Sequence, residues 1–332
     1  MEIGKLKESV LKRSVIKQLQ VKRPEVGSGP SIGEDCATLQ VGPDEEIVMS
    51  TDPITGTASD IGELAVTVSI NDLASAGAEP IGILLTILLT PRMREAKLKA
   101  IMEQVDNACK RYNVQVMGGH TEVTEVVNQP LISVTAVGKV KKGQMVSTGG
   151  AKPGMDLVVT KWIGLEGTSI IAKDHEEELL TRLPKNLVDT AKSFDKYLSV
   201  LPESRVAVEH GVAAMHDITE GGIFGALWEM GEASGVGLDV DLKSIPVKQE
   251  TIEVCEFFGI NPYELISSGA MLIATNDGNG LVRKLAEAGV ASAIIGKSNS
   301  SNDKRVISGD EVRFLEPPKA DALYSVPNVE RK

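Results

Sequence analysis

Acidic residues recur in this chain inside glycine-rich or small-residue turns, and that pattern restricts what the chain can fold into. The turns read GEDCA (Gly33 to Ala37), STD (Ser50 to Asp52), INDLASAGAEP (Ile70 to Pro80) and HDITEGG (His216 to Gly222). A fifth, MGGHTEV (Met117 to Val123), has the same texture but carries His120 where an acid is expected. Carboxylates that are distant in sequence and converge in space can hold Mg2+ against a nucleotide triphosphate. That ion takes oxygen ligands, keeps several waters and bridges phosphates. Glycines beside the acids let the backbone approach a phosphate closely. No Walker A sequence is present, so a nucleotide site here is of a different kind.

A length of 332 residues favours two domains. Aromatic residues make up only 3% of the chain, so the core must come from Val, Ile, Leu, Ala and Met. A net charge of −11 argues against a nucleic-acid binder, which carries a basic stripe, and fits a solvated surface. Cys36, Cys109 and Cys255 lie far apart with no CxxC pair, which excludes a zinc or disulfide framework and fits a reducing cytoplasm. The first residues, MEIGKLKESVLKR, lack the apolar core of a signal peptide. The most apolar run, Ile81 to Thr90, is about half the length needed to span a bilayer and reads as a buried strand.

Helical spacing runs over residues 5–20, and a long small-residue helix is expected from Ile61 to Ala78. Between them lie two short strands, Cys36 to Val41 and Glu46 to Thr51. Strand Ile81 to Leu89, helix Arg92 to Tyr112 and strands Val114 to Met117 and Leu131 to Val140 follow. The Gly/Lys/Pro turn near Gly149 to Pro153 suggests a boundary, giving domains 1–149 and 150–332. Beyond it, strands at 156–160, 237–241, 271–275 and 293–297 alternate with helices at 167–173, 202–210, 222–235, 248–258 and 278–288. The whole reads as an α+β chain of two α/β domains.

These motifs, in this order and over nearly the whole chain, resemble the superfamily of aminoimidazole ribonucleotide (AIR) synthase, thiamine-monophosphate kinase, selenophosphate synthetase and the hydrogenase-maturation factor HypE. GEDCA is similar to that superfamily's GDDCA or GDDAA, and NDLASAGAEP to its N/S-D-L-A-x-x-G-A-x-P. KWIGLEGT (Lys161 to Thr168) and DITEGGI (Asp217 to Ile223) match its second-domain signatures, while SSGAMLIAT and GGHTEVT look most like the HypE branch. The resemblance implies an ATP-binding N-terminal domain that dimerises through its sheet, and a C-terminal domain beside it. Two departures stand out. HypE ends in a cysteine that is its carbamoylated substrate, whereas this sequence ends SVPNVERK. Selenophosphate synthetase needs a reactive residue in a loop that here reads VGSGPSIGED.

The implied site is ATP with Mg2+. Asp35, Asp52 and Asp72 are the expected metal ligands, with Glu122 as a substitute for the acid missing at 120. Gly33, Glu34, Asn71, Gly118, Gly119, His120, Thr121, Thr219 and Gly221 are the expected nucleotide contacts alongside those acids. Asp72, His120 and Asp217 are the candidate catalytic residues. Each has a plainer alternative: a turn aspartate bonding local amides for Asp35 and Asp52, an exposed helix acid for Asp72, simple helix capping for Thr219. Imidazole suits Mg2+ poorly, so His120 is expected to hydrogen-bond a phosphate. Lys161 and Glu166 fall on the second-domain side of the expected cleft, His175 and His210 at the surface, and the cysteines in the core. The expected activity is ATP-dependent phosphorylation of an amide-like oxygen, with a metallocentre-maturation protein as partner. Simple kinase chemistry and a non-catalytic nucleotide-binding assembly role are the alternatives.

Overall fold

The structure is a computed structural model that describes residues 3–31, 36–55 and 60–327. The chain divides into two units, Met1–Ala74 with Ala78–Met145, and Ser75–Gly77 with Val146–Lys332. Among the described residues, no helix is long and apolar enough to cross a membrane.

The first unit runs β1 (Gly4–Lys5), α1 (Glu8–Ser14), β2 (Val26–Ser28), β3 (Thr38–Leu39), β4 (Glu45–Ile54), α2 (Ile61–Ser75), β5 (Glu79–Leu89), α3 (Glu95–Tyr112), β6 (Gln115–Val123) and β7 (Leu131–Lys141). Five of its strands form one sheet in the order β1-β6-β5-β7-β4; only β5 and β6 run parallel. Helix α2 is buried almost all round, as a helix rich in Ala, Ser and Gly must be when it is sunk into a core. Helix α3 is instead two-faced, burying Leu98, Ile101, Met102, Val105 and Cys109, and it ends at Asn113, whose left-handed φ of 54° closes the cap. Two of the turns read from sequence are strand interior: Ser50–Asp52 lies within β4 and Met117–Val123 within β6. Sheet pairing overrode their local glycine and aspartate preference.

Arg23 ties the N-terminal segment to this sheet. It is buried, donates to the carbonyls of Pro80 (3.1 Å) and Asn113 (2.7 Å), and pairs with Glu25 and Glu79. Its guanidinium holds the Glu25 carboxyl down at about 2. A depressed carboxyl stabilises above its ordinary value of 4.5, and that contribution is lost as pH falls toward 2. Arg23→Met is therefore expected to cost about 2–4 kcal/mol at neutral pH, because buried acceptors lose their donor. It should also move acid unfolding to higher pH. Urea titrations at pH 7 and pH 3, followed by circular dichroism, test both; equal stability at pH 7 would show that Arg23 is dispensable.

The second unit contains β8 (Asp156–Thr160), α4 (Leu165–Asp174), α5 (Glu176–Leu179), α6 (Lys185–Lys192), α7 (Leu201–His210), β9 (Ala214–Ile218), α8 (Gly222–Ser234) and β10 (Gly237–Asp241). It continues with α9 (Gln249–Phe258), β11 (Ala270–Thr275), α10 (Gly278–Glu287), β12 (Ser292–Asn299), β13 (Lys304–Ser308) and β14 (Glu311–Phe314). All seven strands form one sheet, ordered β14-β13-β10-β12-β8-β11-β9. Leu157, Val159, Leu238, Val240 and Leu272 pack from this sheet against Ile223, Leu227 and Met230 of α8. A second apolar cluster joins α4, α6 and α9 through Ile171, Val188 and Val254, and takes in Ala322 and Val326 from the C-terminal segment.

Three sequence expectations are corrected in these units. Cys36 is exposed, whereas Cys109 and Cys255 are buried, with burial pushing both thiols up to about 12. His175 is not a surface residue: it is buried, with its ring edge-on to Phe258. The β13–β14 hairpin was not anticipated, although the Gly309-Asp310 pair between two apolar-alternating runs is a hairpin signal.

Candidate functional site

In β4, residues alternate between a covered and an open face: Val48, Ser50, Asp52 and Ile54 are part-covered, while Met49, Thr51 and Pro53 are exposed. Asp52 lies opposite Val134, Val134 opposite Leu85, and Leu85 opposite Gly119. This row faces the helices, since Val134 and Leu85 are core residues. The Ser50 hydroxyl on the same face donates to Asp72 Oδ2 of α2. The tertiary fold thus brings Asp72 alongside Ser50 and Asp52, residues 22 and 20 positions earlier. Asn71 next to it is fully buried.

Two features give this cluster an electrostatic character. Asp72 sits in the last turn of α2, where there is no basic residue and the helix dipole is negative. Asp52 keeps one oxygen, Oδ2, buried with no hydrogen-bond partner among the described residues. A carboxylate at the α2 C-terminus, and on the facing strand another with an open buried oxygen, suit a small divalent cation with oxygen ligands. Among the described residues, no group of three or more His, Cys, Asp or Glu side chains is arranged to hold a metal. The remaining expected ligand, Asp35, lies outside the described residues together with Gly33 and Glu34.

His120 and Glu122 do not join Asp52 and Asp72. Thr86 is opposite His120 in the β5–β6 pairing and opposite Ser133 in the β5–β7 pairing, and this row points to the open face. There the His120 Nε2 lies 3.0 Å from Glu122 Oε2, both side chains solvent-accessible. Glu122 as a fourth ligand beside Asp52 and Asp72 is therefore corrected, because strand alternation puts it on the other side of the sheet. Gly118, Gly119, His120 and Thr121 instead line a cavity of about 100 Å3 with Leu11, Val15, Cys36 and Ala37. Gly119 adopts φ +148°, and a Cβ there would stand 2.0 Å from the Leu85 carbonyl oxygen, so only glycine fits.

In the second unit Asp217 is buried on β9, the edge strand of its sheet. The head of α8 departs from expectation. Thr219 makes no side-chain cap; the N-cap is Gly221 at φ 84°, and the Thr219 carbonyl accepts from Gly222 and Ser267. The Gly221 amide, expected to meet a phosphate, donates to Asp321 Oδ2 at 2.7 Å. Lys161 and Glu166 are buried rather than lining an open face. Lys161 Nζ lies 2.7 Å from Glu203 and donates to the Ser199 carbonyl, and Glu166 has its carboxyl pushed up to about 7 by burial. Sequence reading missed two contacts altogether: His216 Nε2 lies 2.8 Å from Glu229 Oε2, and Asp321 plugs the α8 turn. The first pair joins a strand to a helix 13 residues on, a distance no local motif reports.

Two helix-covered sheets, the first carrying an acid pair between strand and helix, define a two-domain α+β protein. Its halves match the family models described as "AIR synthase related protein, N-terminal domain" over residues 33–140 and "AIR synthase related protein, C-terminal domain" over residues 152–309. The chain belongs to the AIR synthase related family, in its HypE-like branch. It is 31% identical to the carbamoyl dehydratase HypE of Cupriavidus necator, covering 72% of this chain and 68% of that one. It is 30% identical to the carbamoyl dehydratase HypE of Azotobacter vinelandii, covering 69% and 67%. A crystal structure of the hydrogenase maturation protein HypE in complex with ATP shares the fold at a TM-score of 0.81 and 19% identity, covering 96% of this chain and 97% of that one.

Proposed function

We propose that this protein is an ATP-dependent enzyme of the HypE and AIR synthase type, which phosphorylates and so activates an oxygen of an amide-like acceptor. The observation that carries the reading is the Ser50–Asp72 contact between β4 and the C-terminal turn of α2, with Asp52 two residues further along the same strand face and one of its buried carboxylate oxygens left open. Mg2+ bound there, through Asp52 and Asp72 with Asp35 as a further ligand, would neutralise the charge of a triphosphate. Gly118 and Gly119 allow close backbone approach, and His120 and Thr121 supply hydrogen-bonding groups at the same cavity. Catalysis in such a site comes from positioning and charge stabilisation, as in phosphoryl transfer generally.

The kinship with proteins named hydrogenase expression/formation protein supports a role in hydrogenase maturation, and with it a protein partner. The open sheet face, with Ile47 and Met49 exposed on β4, supports a homodimer formed through the sheet.

Isothermal titration with a non-hydrolysable ATP analogue, with and without Mg2+, tests the nucleotide reading. Micromolar binding that requires Mg2+ is expected. Absence of binding under both conditions would sink it. Binding accompanied by turnover that no amide, thiocarboxamide or small phosphate acceptor accelerates would favour the nucleotide-binding assembly role.

A further inference from the structure

Aromatic residues are scarce in this chain, at 3%, yet three of them gather around one ammonium in the second unit. The Lys248 Nζ lies 3.8 Å from the ring centre of Trp162, 5.8 Å from that of Phe194 and 5.9 Å from that of Tyr197. Trp162 and Tyr197 meet edge to face, with ring centroids 5.5 Å apart. A second ammonium, Lys196 Nζ, lies 4.9 Å from the Tyr197 ring. The electron-rich ring faces hold the two cations in place without neutralising them.

What the cluster lacks is an acceptor. Lysines on the neighbouring elements are paired: Lys161 with Glu203, Lys173 with Asp195, Lys185 with Asp189 and Lys192 with Glu176. Neither Lys196 nor Lys248 has a carboxylate partner, or a hydrogen bond from its ammonium, among the described residues. The Trp162 ring N–H and the Tyr197 hydroxyl make no hydrogen bond among them either. Lys248, Trp162 and Tyr197 are each part-covered, so these donors are partly withdrawn from water. In a chain of net charge −11, two cations and two further donors gathered without an anion favour an anionic ligand.

The arrangement is rigid. Trp162 and Lys248 sit on adjoining segments joined by the Ile163–Val247 bridge and by the Ile163 amide, which donates to the Pro246 carbonyl at 3.0 Å. Lys161, just before Trp162, takes a left-handed φ of 51°, which is unfavourable for a residue with a side chain. Its amide bond to the Ala291 carbonyl, at 2.7 Å, and its ion pair with Glu203 hold it there. Tyr197 closes the short helical turn Ser193–Tyr197, anchored by the buried Phe194. Gly269 packs so closely on it that a Cβ there would stand 2.6 Å from the Tyr197 carbonyl oxygen. Donors fixed in this way lose little freedom when an anion binds.

We propose that Lys196, Lys248, Trp162 and Tyr197 form a binding site for a doubly charged oxyanion of the phosphate class. Two ammoniums match its two charges, and the gathered donors match its several acceptor oxygens, whereas a carboxylate brings one charge and two oxygens. The site lies wholly within the second unit and does not depend on the Asp52–Asp72 reading. The phosphate arrives either as the free ion or as a monoester whose carbon body rests on the rings.

Trp162 is the reporter. In a Trp228→Phe background it is the only tryptophan, and an anion drawn to Lys248 changes its emission. The full chain is titrated in Mg2+-free buffer, at constant ionic strength, with inorganic phosphate, phenyl phosphate and acetate. Isothermal titration of the unaltered chain repeats the three arms. A saturable response is expected, with a midpoint for the phosphates about tenfold or more below that for acetate. Lys196→Met and Lys248→Met, read by midpoint rather than intensity, should each raise the phosphate midpoint about tenfold or more, while Lys248→Arg keeps it. A lower midpoint for phenyl phosphate than for inorganic phosphate identifies a monoester as the ligand, and the reverse identifies the free ion. A response of the parent chain that does not saturate, or is the same for acetate and phosphate, would overturn the proposal whether or not any variant folds. So would phosphate binding left unchanged in folded Lys196→Met and Lys248→Met proteins.

Discussion

Asp72→Ala is expected to lower ATP turnover at least 100-fold while leaving the protein folded. A divalent cation held by this carboxylate against a transferring phosphoryl group is worth several kcal/mol at the transition state, and each 1.36 kcal/mol is tenfold in rate. The more telling variant is Asp72→Asn. Asp72 places a negative charge in the last turn of α2, against the helix dipole and near Asp52, with no basic residue in that turn. Neutralising it should stabilise the metal-free protein by about 0.3–1 kcal/mol and at the same time remove Mg2+-dependent turnover. A carboxylate whose loss makes the protein more stable and less active is one kept for a ligand. Turnover and thermal unfolding, each measured with and without Mg2+, separate the two effects. Asp72→Asn with normal turnover would show that the acid pair is not the nucleotide's cation site.

Glu203→Ala is expected to destabilise the second unit by about 3–5 kcal/mol, because it leaves a buried ammonium without its carboxylate. The Lys161 side chain is 10% exposed and that of Glu203 1%, with Nζ and Oε1 2.7 Å apart. Thr160 donates to the same oxygen of Glu203, and Lys161 also donates to the Ser199 carbonyl. Burial pulls the Lys161 ammonium below its ordinary value, while Glu203 opposes that shift. The pair is thus a geometric requirement more than a source of stability, since well-packed apolar residues often replace buried ion pairs at no cost. Lys161→Met combined with Glu203→Leu should recover most of what Glu203→Ala loses. Urea denaturation of the single and double variants measures it; a loss below about 1 kcal/mol for Glu203→Ala would mean that water reaches Lys161.

Much of the architecture is legible in the sequence because its signals are periodic. Apolar spacing in 92–112 marks α3, and the unbroken run Ile81 to Leu89 marks β5, which is buried on the sheet's helix-covered side. Local chemistry misleads where pairing decides. Ser50–Asp52 and the Gly118–Gly119 pair carry turn residues, yet they lie in strands because a neighbouring strand, β7 for the first and β5 for the second, supplies their backbone partners. Cys36 follows acids in a small-residue motif and is exposed, since burial depends on what packs over it.

From the sequence alone come the α+β class, the family, and the acids and glycines worth testing: order and residue type suffice for these. Which acids meet is decided by tertiary structure. Strand alternation sets Asp52 on the face that α2 covers and turns His120 and Glu122 to the other, although all three sit in motifs of similar texture. Long-range packing brings Asp321 onto the Gly221 amide 100 residues away and sets it near Glu166. No spacing in the chain encodes such a contact, because loops and helices between the partners set its geometry, and burial disfavours the charged form of both carboxyls.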